Sequence, residues 1–212
     1  MRLRWKIAQA AEIRWWQSYL RKQDPVEYLR WKETYWRDFL AKCAIEMPAA
    51  NANCLDAGCG PAGIFTILKT QVVDAIDPLL EQYEAKLTAF RQADYPWVHF
   101  HPYPIEQFES PGNYDVIFSL NAINHVSDWT ASIKKLMEWT KAGGTLVLST
   151  DVHRFSLLKP IFRALPGDLL HPHQHSLAEY IAEIEKYRPK SIRKIRIKRE
   201  AIFDYWAFVI VR

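Results

Sequence analysis

Residues 55–63 read Leu-Asp-Ala-Gly-Cys-Gly-Pro-Ala-Gly, a short apolar run that leads directly into three glycines. The run predicts a β-strand, and the residues after the glycines predict a helix. Gly58, Gly60 and Gly63 have GxGxxG spacing, which allows a tight turn and a close approach of the backbone to a ligand. Asp77 lies 19 residues after Gly58, at the end of the next predicted strand. Taken alone, these features fit a dinucleotide site in which Asp77 binds ribose hydroxyls, although GxGxxG by itself is a weak signal.

The region around this turn alternates between short apolar runs and helical segments, which predicts βαβ units and a parallel sheet. The predicted helices cover residues 63–70, 78–91, 129–140 and 176–187. The predicted strands cover residues 54–57, 72–76, 97–100, 114–119, 145–149, 192–198 and 204–211. The last two strands are close enough in the sequence to pair as an antiparallel edge. We therefore predict an α/β fold with a doubly wound, mostly parallel seven-stranded sheet whose last strand is antiparallel.

Residues 1–48 have a different pattern, typical of two helices that form a hairpin before the sheet domain of residues 49–212. The run Asp24-Pro25-Val26-Glu27 predicts the start of the second helix, with Asp24 as the N-cap. Five of the nine tryptophans lie within the first 36 residues. This aromatic bias predicts either a hairpin that packs against the sheet or a cap that encloses a substrate.

The composition excludes several classes of protein. The 212 residues are 49% hydrophobic and 25% charged, as in ordinary globular proteins, and no window reaches the roughly 18 consecutive apolar residues of a membrane span. The first residues lack the apolar run of a signal peptide. The three cysteines, Cys43, Cys54 and Cys59, form no CxxC pair. We therefore expect reduced thiols, a cytoplasmic location, no bound metal and no membrane partner.

Four segments together resemble the motifs of the class I S-adenosylmethionine-dependent methyltransferases in order and in spacing. They are residues 56–63, 75–78, 114–119 and 141–148, and the resemblance covers about residues 50–151. It implies a Rossmann-like methyltransferase fold, S-adenosylmethionine as the cofactor, S-adenosylhomocysteine as the product, and methyl transfer as the activity. Four ordered motifs are specific for this superfamily, but they do not identify the methyl acceptor.

The resemblance also implies which residues contact the cofactor. Gly58 and Gly60 would pass against its methionine part, and Asp77 would bind the ribose hydroxyls. The full set is Asp56, Gly58, Cys59, Gly60, Gly63, Asp77, Pro78, Ile105, Glu106, Leu120, Asn121 and Ala122. Asp56 favours this cofactor over NAD, because a carboxylate repels a pyrophosphate and attracts a sulfonium. Glu106, or the backbone near Ile105, would contact the adenine.

Three residues beyond the fourth and fifth strands are candidates for catalysis: His125, Asp151 and His153. A base is needed only if the acceptor loses a proton, because methyl transfer depends mainly on holding the reacting atoms in line. A packed, hydrogen-bonded role is the alternative for each. Candidates for substrate contact lie in the hairpin and in the histidine-rich run after residue 170. They are Trp15, Trp16, Tyr19, Trp31, Tyr35, His171 and His173.

The acceptor expected from these features is a small molecule. The basic ends of the chain, residues 1–42 and 186–212, keep open an RNA or protein methyltransferase. Two signatures of DNA methylases are absent from the sequence, an Asn/Asp-Pro-Pro-aromatic run after the fourth strand and a Pro-Cys nucleophile. A non-catalytic protein that binds a partner through its Trp-rich hairpin is a further alternative, and an NAD oxidoreductase is the least favoured. The sequence predicts neither the acceptor atom nor the oligomeric state.

Overall fold

The computed structural model describes residues 3–153, 175–199 and 203–212 of the chain. The strands in these ranges are β1 (Asn53–Ala57), β2 (Val72–Ile76), β3 (Val98–His101), β4 (Tyr114–Leu120), β5 (Thr140–His153), β6 (Ser191–Arg199) and β7 (Phe203–Val211). They form one sheet in the order β3-β2-β1-β4-β5-β7-β6. β7 runs antiparallel to both of its neighbours, and the other neighbouring pairs are parallel. The predicted seven-stranded sheet with its antiparallel last strand is confirmed.

The order of the strands creates a crevice beside β1. β1 pairs with β2 on one side and with β4 on the other, so the chain leaves β1 in one direction and returns on the opposite side. In open α/β sheets this reversal opens a crevice outside the carboxyl ends of the strands. β1 and β4 are mostly buried, which explains their nearly continuous apolar sequences. The glycine turn of residues 58–63 follows β1 directly and therefore lies at this crevice.

Two helices precede the sheet, as predicted: α1 (Leu3–Leu20) and α2 (Pro25–Lys42). The predicted start of α2 is confirmed by its cap. One oxygen of the Asp24 carboxylate accepts the backbone N–H groups of Val26 and Glu27, each at 2.9 Å. These bonds satisfy two of the donors that the start of a helix leaves without partners.

The hairpin of α1 and α2 packs directly on the sheet. Buried residues of the two helices, such as Ile13 and Phe39, belong to the same apolar cluster as Cys54 of β1. The indole N–H of Trp36 donates to the backbone oxygen of Ala62 at 3.0 Å, which fastens α2 to the glycine turn. Burial of apolar surface is the main driving force for packing of this kind. The division of the chain at residue 48 stays a prediction.

Three further helices lie in the described part of the chain. They are α3 (Leu80–Lys86), α4 (Trp129–Trp139) and α5 (Leu177–Glu185). α4 and α5 confirm their predictions, and α5 begins with a capping box between Ser176 and Glu179. α3 is shorter than predicted, because Leu87 has an extended backbone and ends it. No helix among the described residues is both long and apolar enough to cross a membrane.

The helix predicted for residues 63–70 is wrong. The chain there forms only a short 3₁₀ turn, Ile64–Ile67, and another 3₁₀ turn, Gly60–Ala62, precedes it. The glycine between them is extended, with ψ of −175°. The backbone N–H of Phe65 donates at 3.1 Å to the buried carboxylate of Asp56. This bond and the extended glycine override the helical pattern of the sequence.

Candidate cofactor and acceptor site

A cavity of about 650 Å³ opens between the hairpin and the carboxyl ends of the central strands. Its walls come from α1, α2, the glycine turn, the segments that follow β3 and β4, and residues of β5, β6 and β7. This volume is in the range of sites that hold ligands of cofactor size. The cavity lies where the order of the strands predicts a ligand.

The glycine turn forms one wall of the cavity with its backbone. The N–H groups of Gly58 and Cys59 donate to the backbone oxygen of Ile76 at 2.8 and 3.1 Å, which ties the turn to β2. Gly58 has φ of +75°, and a Cβ at this position would lie 2.3 Å from the Cβ of Ala122. Gly60 also has a positive φ, of +57°. Only glycine allows this path without strain, so the turn stays narrow and its backbone faces the ligand.

Asp77 lies beside the turn, at the end of β2. Its two carboxylate oxygens accept the backbone N–H groups of Leu79 at 2.8 Å and of Gly60 at 3.0 Å. Burial, and next the nearby Glu12 carboxylate, raise the pKa of Asp77 to about 7. A carboxylate has about four acceptor positions, so Asp77 can still accept hydrogen bonds from a ligand. Its place in the wall fits the role predicted for it.

Asp56 lies behind the turn and is not among the described residues that line the cavity. Its Oδ2 accepts the N–H of Phe65, and a Cβ on Gly63 would lie 2.4 Å from the same oxygen. Burial raises the pKa of Asp56 to about 7, and the charge of Lys32 opposes this effect. The Asp56 carboxylate therefore stabilises the backbone conformation of the turn through this hydrogen bond with Phe65, on the side away from the cavity. Its predicted contact with the cofactor, like that of Gly63, stays a prediction.

Glu106 follows β3 and lines the cavity from the opposite side. Its Oε1 accepts three hydrogen bonds, from the N–H and hydroxyl of Ser127 at 2.6 and 2.8 Å and from the N–H of Asp128 at 3.0 Å. Its Oε2 is buried and has no hydrogen-bond partner in the described part of the chain. A buried acceptor without a donor costs free energy. A ligand that brings an N–H group to this oxygen would remove that cost.

Lys32 of α2 brings a cation into the cavity wall. Its Nζ lies 4.3 Å from the centre of the Trp36 ring and 5.0 Å from that of Tyr35. It has no hydrogen-bond acceptor among the residues that the structure describes. Burial lowers the pKa of Lys32 to about 8, although the charge of Asp56 opposes the shift. An ammonium held by aromatic faces in this way can bind a carboxylate of a ligand.

The sequence from residue 28 to residue 194 matches the model of the methyltransferase domain family. The chain belongs to this family. The fold and the family match are those of the class I S-adenosylmethionine-dependent methyltransferases, and S-adenosylmethionine is their cofactor. The cavity wall fits this cofactor for two reasons. Among the described residues none donates a hydrogen bond to Glu106 Oε2, and the turn has no room for a side chain at Gly58, so its backbone can contact the cofactor.

Two curated methyltransferases resemble the chain in sequence. The ubiquinone biosynthesis O-methyltransferase of Rickettsia conorii is 28% identical over 148 residues, which are 68% of this chain and 51% of that protein. The enzyme of the same name from Rickettsia canadensis is 34% identical over 98 residues, which are 45% of this chain and 41% of that protein. The chain therefore spans about half the length of the curated relatives it matches, or less.

Solved methyltransferase structures share the fold. The N-methyltransferase NodS of Bradyrhizobium japonicum, in complex with S-adenosylhomocysteine, has a TM-score of 0.62 at 13% identity and covers 92% of this chain and 96% of its own. Phosphoethanolamine N-methyltransferase 2 of Haemonchus contortus, in complex with S-adenosylmethionine, has a TM-score of 0.63 at 14% identity and covers 84% of this chain and 52% of its own. Identities this low show the fold alone.

The methyltransferase cavity has a second side, lined by hydroxyl groups, next to the turn after β4. Asn121 there has φ of +55°, and its N–H donates to the backbone oxygen of Ser149 at 2.9 Å and to its Oγ at 3.1 Å. Ser149 Oγ lies 2.6 Å from the hydroxyl of Tyr205, which lines the cavity together with Tyr35. Burial, and next Tyr35, raise the pKa of Tyr205 well above its usual value. Tyr205 therefore stays neutral.

Most of the residues singled out in the sequence meet in this one cavity. All the predicted cofactor contacts except Asp56 and Gly63 line it, and so do the catalytic candidates His125 and Asp151. His153 is the last residue of β5, and its side chain lies outside the described part. Among the substrate candidates, Trp15, Trp16 and Tyr35 line the cavity, Tyr19 and Trp31 are not among its described lining residues, and His171 and His173 lie outside the described residues.

The lining residues that the sequence analysis did not predict include Glu12, Lys32, Lys198 and Tyr205, whose side chains are ionisable. Helical spacing carries a signal for two of them. Glu12 lies four positions before Trp16, and Lys32 lies four positions before Trp36, so each shares a helix face with a tryptophan of the cavity wall. No comparable signal marks Tyr205, because alternation along a strand does not reveal which face meets a ligand.

Proposed function

We propose that this methyltransferase transfers a methyl group from S-adenosylmethionine to a hydroxyl oxygen of a small aromatic molecule. The observation that carries the proposal is that one cavity between the hairpin and the sheet has both a wall formed by the glycine turn, Asp77 and Glu106 and a wall with the aromatic hydroxyls of Tyr35 and Tyr205. About 650 Å³ shared by both ligands leaves room for a small acceptor. The names of the two Rickettsia relatives support oxygen as the acceptor atom.

The cofactor would be held by groups that lie on separate walls. The backbone of Gly58 and Gly60 would contact its methionine part, and the ammonium of Lys32 would bind its carboxylate. Asp77 would accept from the ribose, and Glu106 Oε2 would accept from the adenine amino group. When bound, S-adenosylmethionine supplies a methyl group that its sulfonium has already activated. The chain then needs only to hold the acceptor oxygen in line and exclude water.

A hydroxyl acceptor must lose its proton when it is methylated, so a base is expected in the cavity. His125 and Asp151 both line the cavity on the side of the turn after β4. We assign the proton transfer to one of these two residues. The backbone N–H of His125 donates to Ala122 at 2.9 Å, which fixes the turn that carries the imidazole. Neutral imidazole is the commonest general base in proteins.

The test begins with binding and then proceeds to transfer. Calorimetry should show binding of S-adenosylhomocysteine to the purified chain, no binding of NADH, and loss of binding in Asp77→Ala. Radiolabelled S-adenosylmethionine should then label small phenols and catechols. Of the two variants His125→Ala and Asp151→Ala, the one that removes the base should lower kcat at least tenfold without changing the Kd for S-adenosylhomocysteine. Label in RNA or protein but not in any small phenol would contradict the proposed acceptor.

RNA is the second candidate acceptor, because β6 exposes a row of basic side chains. Two of these side chains are already engaged. Arg193 donates to the backbone oxygen of Ala44 at 3.2 Å, and Arg196 lies 3.7 Å from the carboxylate of Asp204. RNA binding would require Kd to rise steeply with salt, which a gel shift at two salt concentrations would show. The cytoplasmic location expected from the sequence stays a prediction, which localisation of the protein would test. Measured methyl transfer would exclude the non-catalytic alternative.

A further inference from the structure

The N-terminal helix places a second carboxylate in the cofactor side of the cavity. Glu12 of α1 lines the cavity together with Asp77 of the sheet. Its Oε1 accepts the hydroxyl of Tyr83 at 3.3 Å, and the side chain of Trp16 also hydrogen-bonds to it. Glu12 is close enough to Asp77 for its charge to act on that carboxylate. Two carboxylates from separate parts of the fold therefore face one ligand site.

Both carboxylates keep acceptor positions for a ligand. Asp77 accepts two backbone N–H groups and Glu12 accepts two side-chain donors, out of about four positions on each. Lys32 gives an independent indication of a ligand in the same cavity, because this half-buried lysine holds its ammonium over aromatic rings and has no hydrogen-bond acceptor among the described residues. Neighbouring acceptors on two carboxylates match neighbouring hydroxyl donors, which is the chemistry of a vicinal diol.

We propose that Glu12 and Asp77 together bind the two ribose hydroxyls of the cofactor, so that the bound ribose links α1 to the end of β2. The inference rests on the proposed placement of the cofactor in this cavity. α1 also contacts the turn through Trp16, whose ring lies 3.9 Å from the position of a Cβ on Gly60. Cofactor binding therefore stabilises the packing of the hairpin against the glycine turn. Glu12 also makes the site selective for a ribose that carries both hydroxyls.

The pair makes cofactor binding depend on pH. Burial raises the pKa of both carboxyls, and that of Asp77 reaches about 7. The other titratable groups that act on them are Tyr83, Cys59 and Asp56, and none is a cation. Hydroxyls donate best to ionised carboxylates, so binding releases a proton. One proton released from a group of pKa about 7 tightens binding about tenfold between pH 6 and pH 8, and partial deprotonation of Lys32, whose pKa is about 8, reduces the net change to about fivefold.

The test is calorimetry with S-adenosylhomocysteine on the wild-type chain, Glu12→Gln and Glu46→Gln. Glu46 is exposed, so its variant removes the same charge away from the cavity. At pH 8, Glu12→Gln should raise Kd at least fivefold, and Glu46→Gln should leave Kd within twofold. With the 2′-deoxy and 3′-deoxy analogues of S-adenosylhomocysteine, the effect of Glu12→Gln should shrink for at least one analogue. The tightening of binding between pH 6 and pH 8 should also become smaller in Glu12→Gln.

Hydrogen exchange supplies a readout that does not depend on affinity. Saturating S-adenosylhomocysteine should slow amide exchange in α1 of the wild-type chain and of Glu46→Gln, but much less in Glu12→Gln. An unchanged Kd in Glu12→Gln, or an equal loss of affinity for both deoxy analogues and the parent ligand, would overturn the inference alone. If the wild-type chain bound no S-adenosylhomocysteine, the proposed function and this inference would fail together.

Discussion

The cavity has two walls that are built in different ways. The glycine turn presents backbone, held by bonds from Gly58 and Cys59 to β2, and a side chain at Gly58 would meet Ala122. The hairpin presents side chains, of which Glu12 and Lys32 carry opposite charges. The first wall depends on a path of the chain that only certain residues allow. The hairpin wall depends on which residues occupy the helix faces toward the cavity. These residues can be substituted without a change of fold.

The largest effect should come from the backbone wall. Gly58→Ala adds a Cβ 2.3 Å from Ala122 at φ of +75°, and we expect S-adenosylhomocysteine binding to weaken at least a hundredfold. Gly143→Ala is the matched control, because Gly143 also has a positive φ, of +79°, and lies away from the cavity. Gly143→Ala should lose about 1 kcal/mol of stability to backbone strain, and Gly58→Ala should lose more because its Cβ also overlaps Ala122. Calorimetry and thermal unfolding separate the two effects, and equal binding in both variants would refute the comparison.

A buried acid behind the same wall predicts a pH effect on stability. Burial raises the folded-state pKa of Asp56 to about 7, above its ordinary value of 3.8. The folded state therefore keeps a proton that the unfolded state has lost, and the free energy of unfolding falls as pH rises from 5 to 8. Asp56→Asn should reduce this fall by about 2 kcal/mol, measured by urea unfolding at both pH values.

Asp115→Asn is the control for this prediction. Lys141, which donates to Asp115 at 2.8 Å, lowers the pKa of that carboxyl. Its stabilising effect is lost only as the pH falls through its folded-state pKa, so the variant should leave the change in stability between pH 5 and pH 8 as it is. An unchanged pH profile in Asp56→Asn would show that its carboxyl is ionised in the folded protein.

The hairpin wall should give a smaller effect on cofactor binding. Lys32→Met removes the cation but keeps an apolar chain against Trp36, and we expect Kd for S-adenosylhomocysteine to rise about tenfold. Lys32→Arg should restore most of the affinity. Lys134→Met is the control, because Lys134 is exposed on α4 and pairs with Glu138 at 3.8 Å. A Kd within twofold of the wild type in Lys32→Met would show that Lys32 does not contribute to cofactor binding.

The smallest effect is expected at the outer face of the hairpin. Trp31 is 53% exposed and is not among the described residues that line the cavity. Trp31→Ala should therefore change Kd for S-adenosylhomocysteine less than twofold. Trp16→Ala should raise it several-fold, since Trp16 lies over the glycine turn. Fluorescence titration of both variants with S-adenosylhomocysteine measures the two Kd values. A larger Kd in Trp16→Ala than in Trp31→Ala would show that only the tryptophan in the cavity wall contributes to binding.

The sheet and the glycine turn could be predicted because strand order, glycine spacing and Asp77 follow from local rules of backbone geometry. The start of α2 could be predicted for the same reason, because Asp24 acts on its own helix. The helix predicted after Gly63 failed because Asp56, nine residues before Phe65, accepts its N–H. That bond exists only once the strand and the turn have packed together.

The hairpin side of the site could be predicted only in part. The aromatic bias of the hairpin predicted Trp15, Trp16 and Tyr35 as candidates for substrate contact, and these three line the cavity. It did not separate these from Tyr19 and Trp31, because several neighbouring faces of the two helices are aromatic. The isolated oxygen of Glu106 depends on Ser127, 21 residues further along the chain. Residues so far apart in the sequence show no periodic pattern, so this contact could not be predicted from the sequence.

The position of β7 has a consequence for biosynthesis. β7 follows every other described strand in the chain, yet it lies inside the sheet, between β5 and β6. While a ribosome is still translating that region, the outer edge of β5 has no partner, and unpaired edges of apolar strands invite pairing with other chains. Tyr205 of β7 also completes the cavity wall. The nascent protein therefore passes through a period with an open sheet, and it can enclose an acceptor only after its last strand has been made.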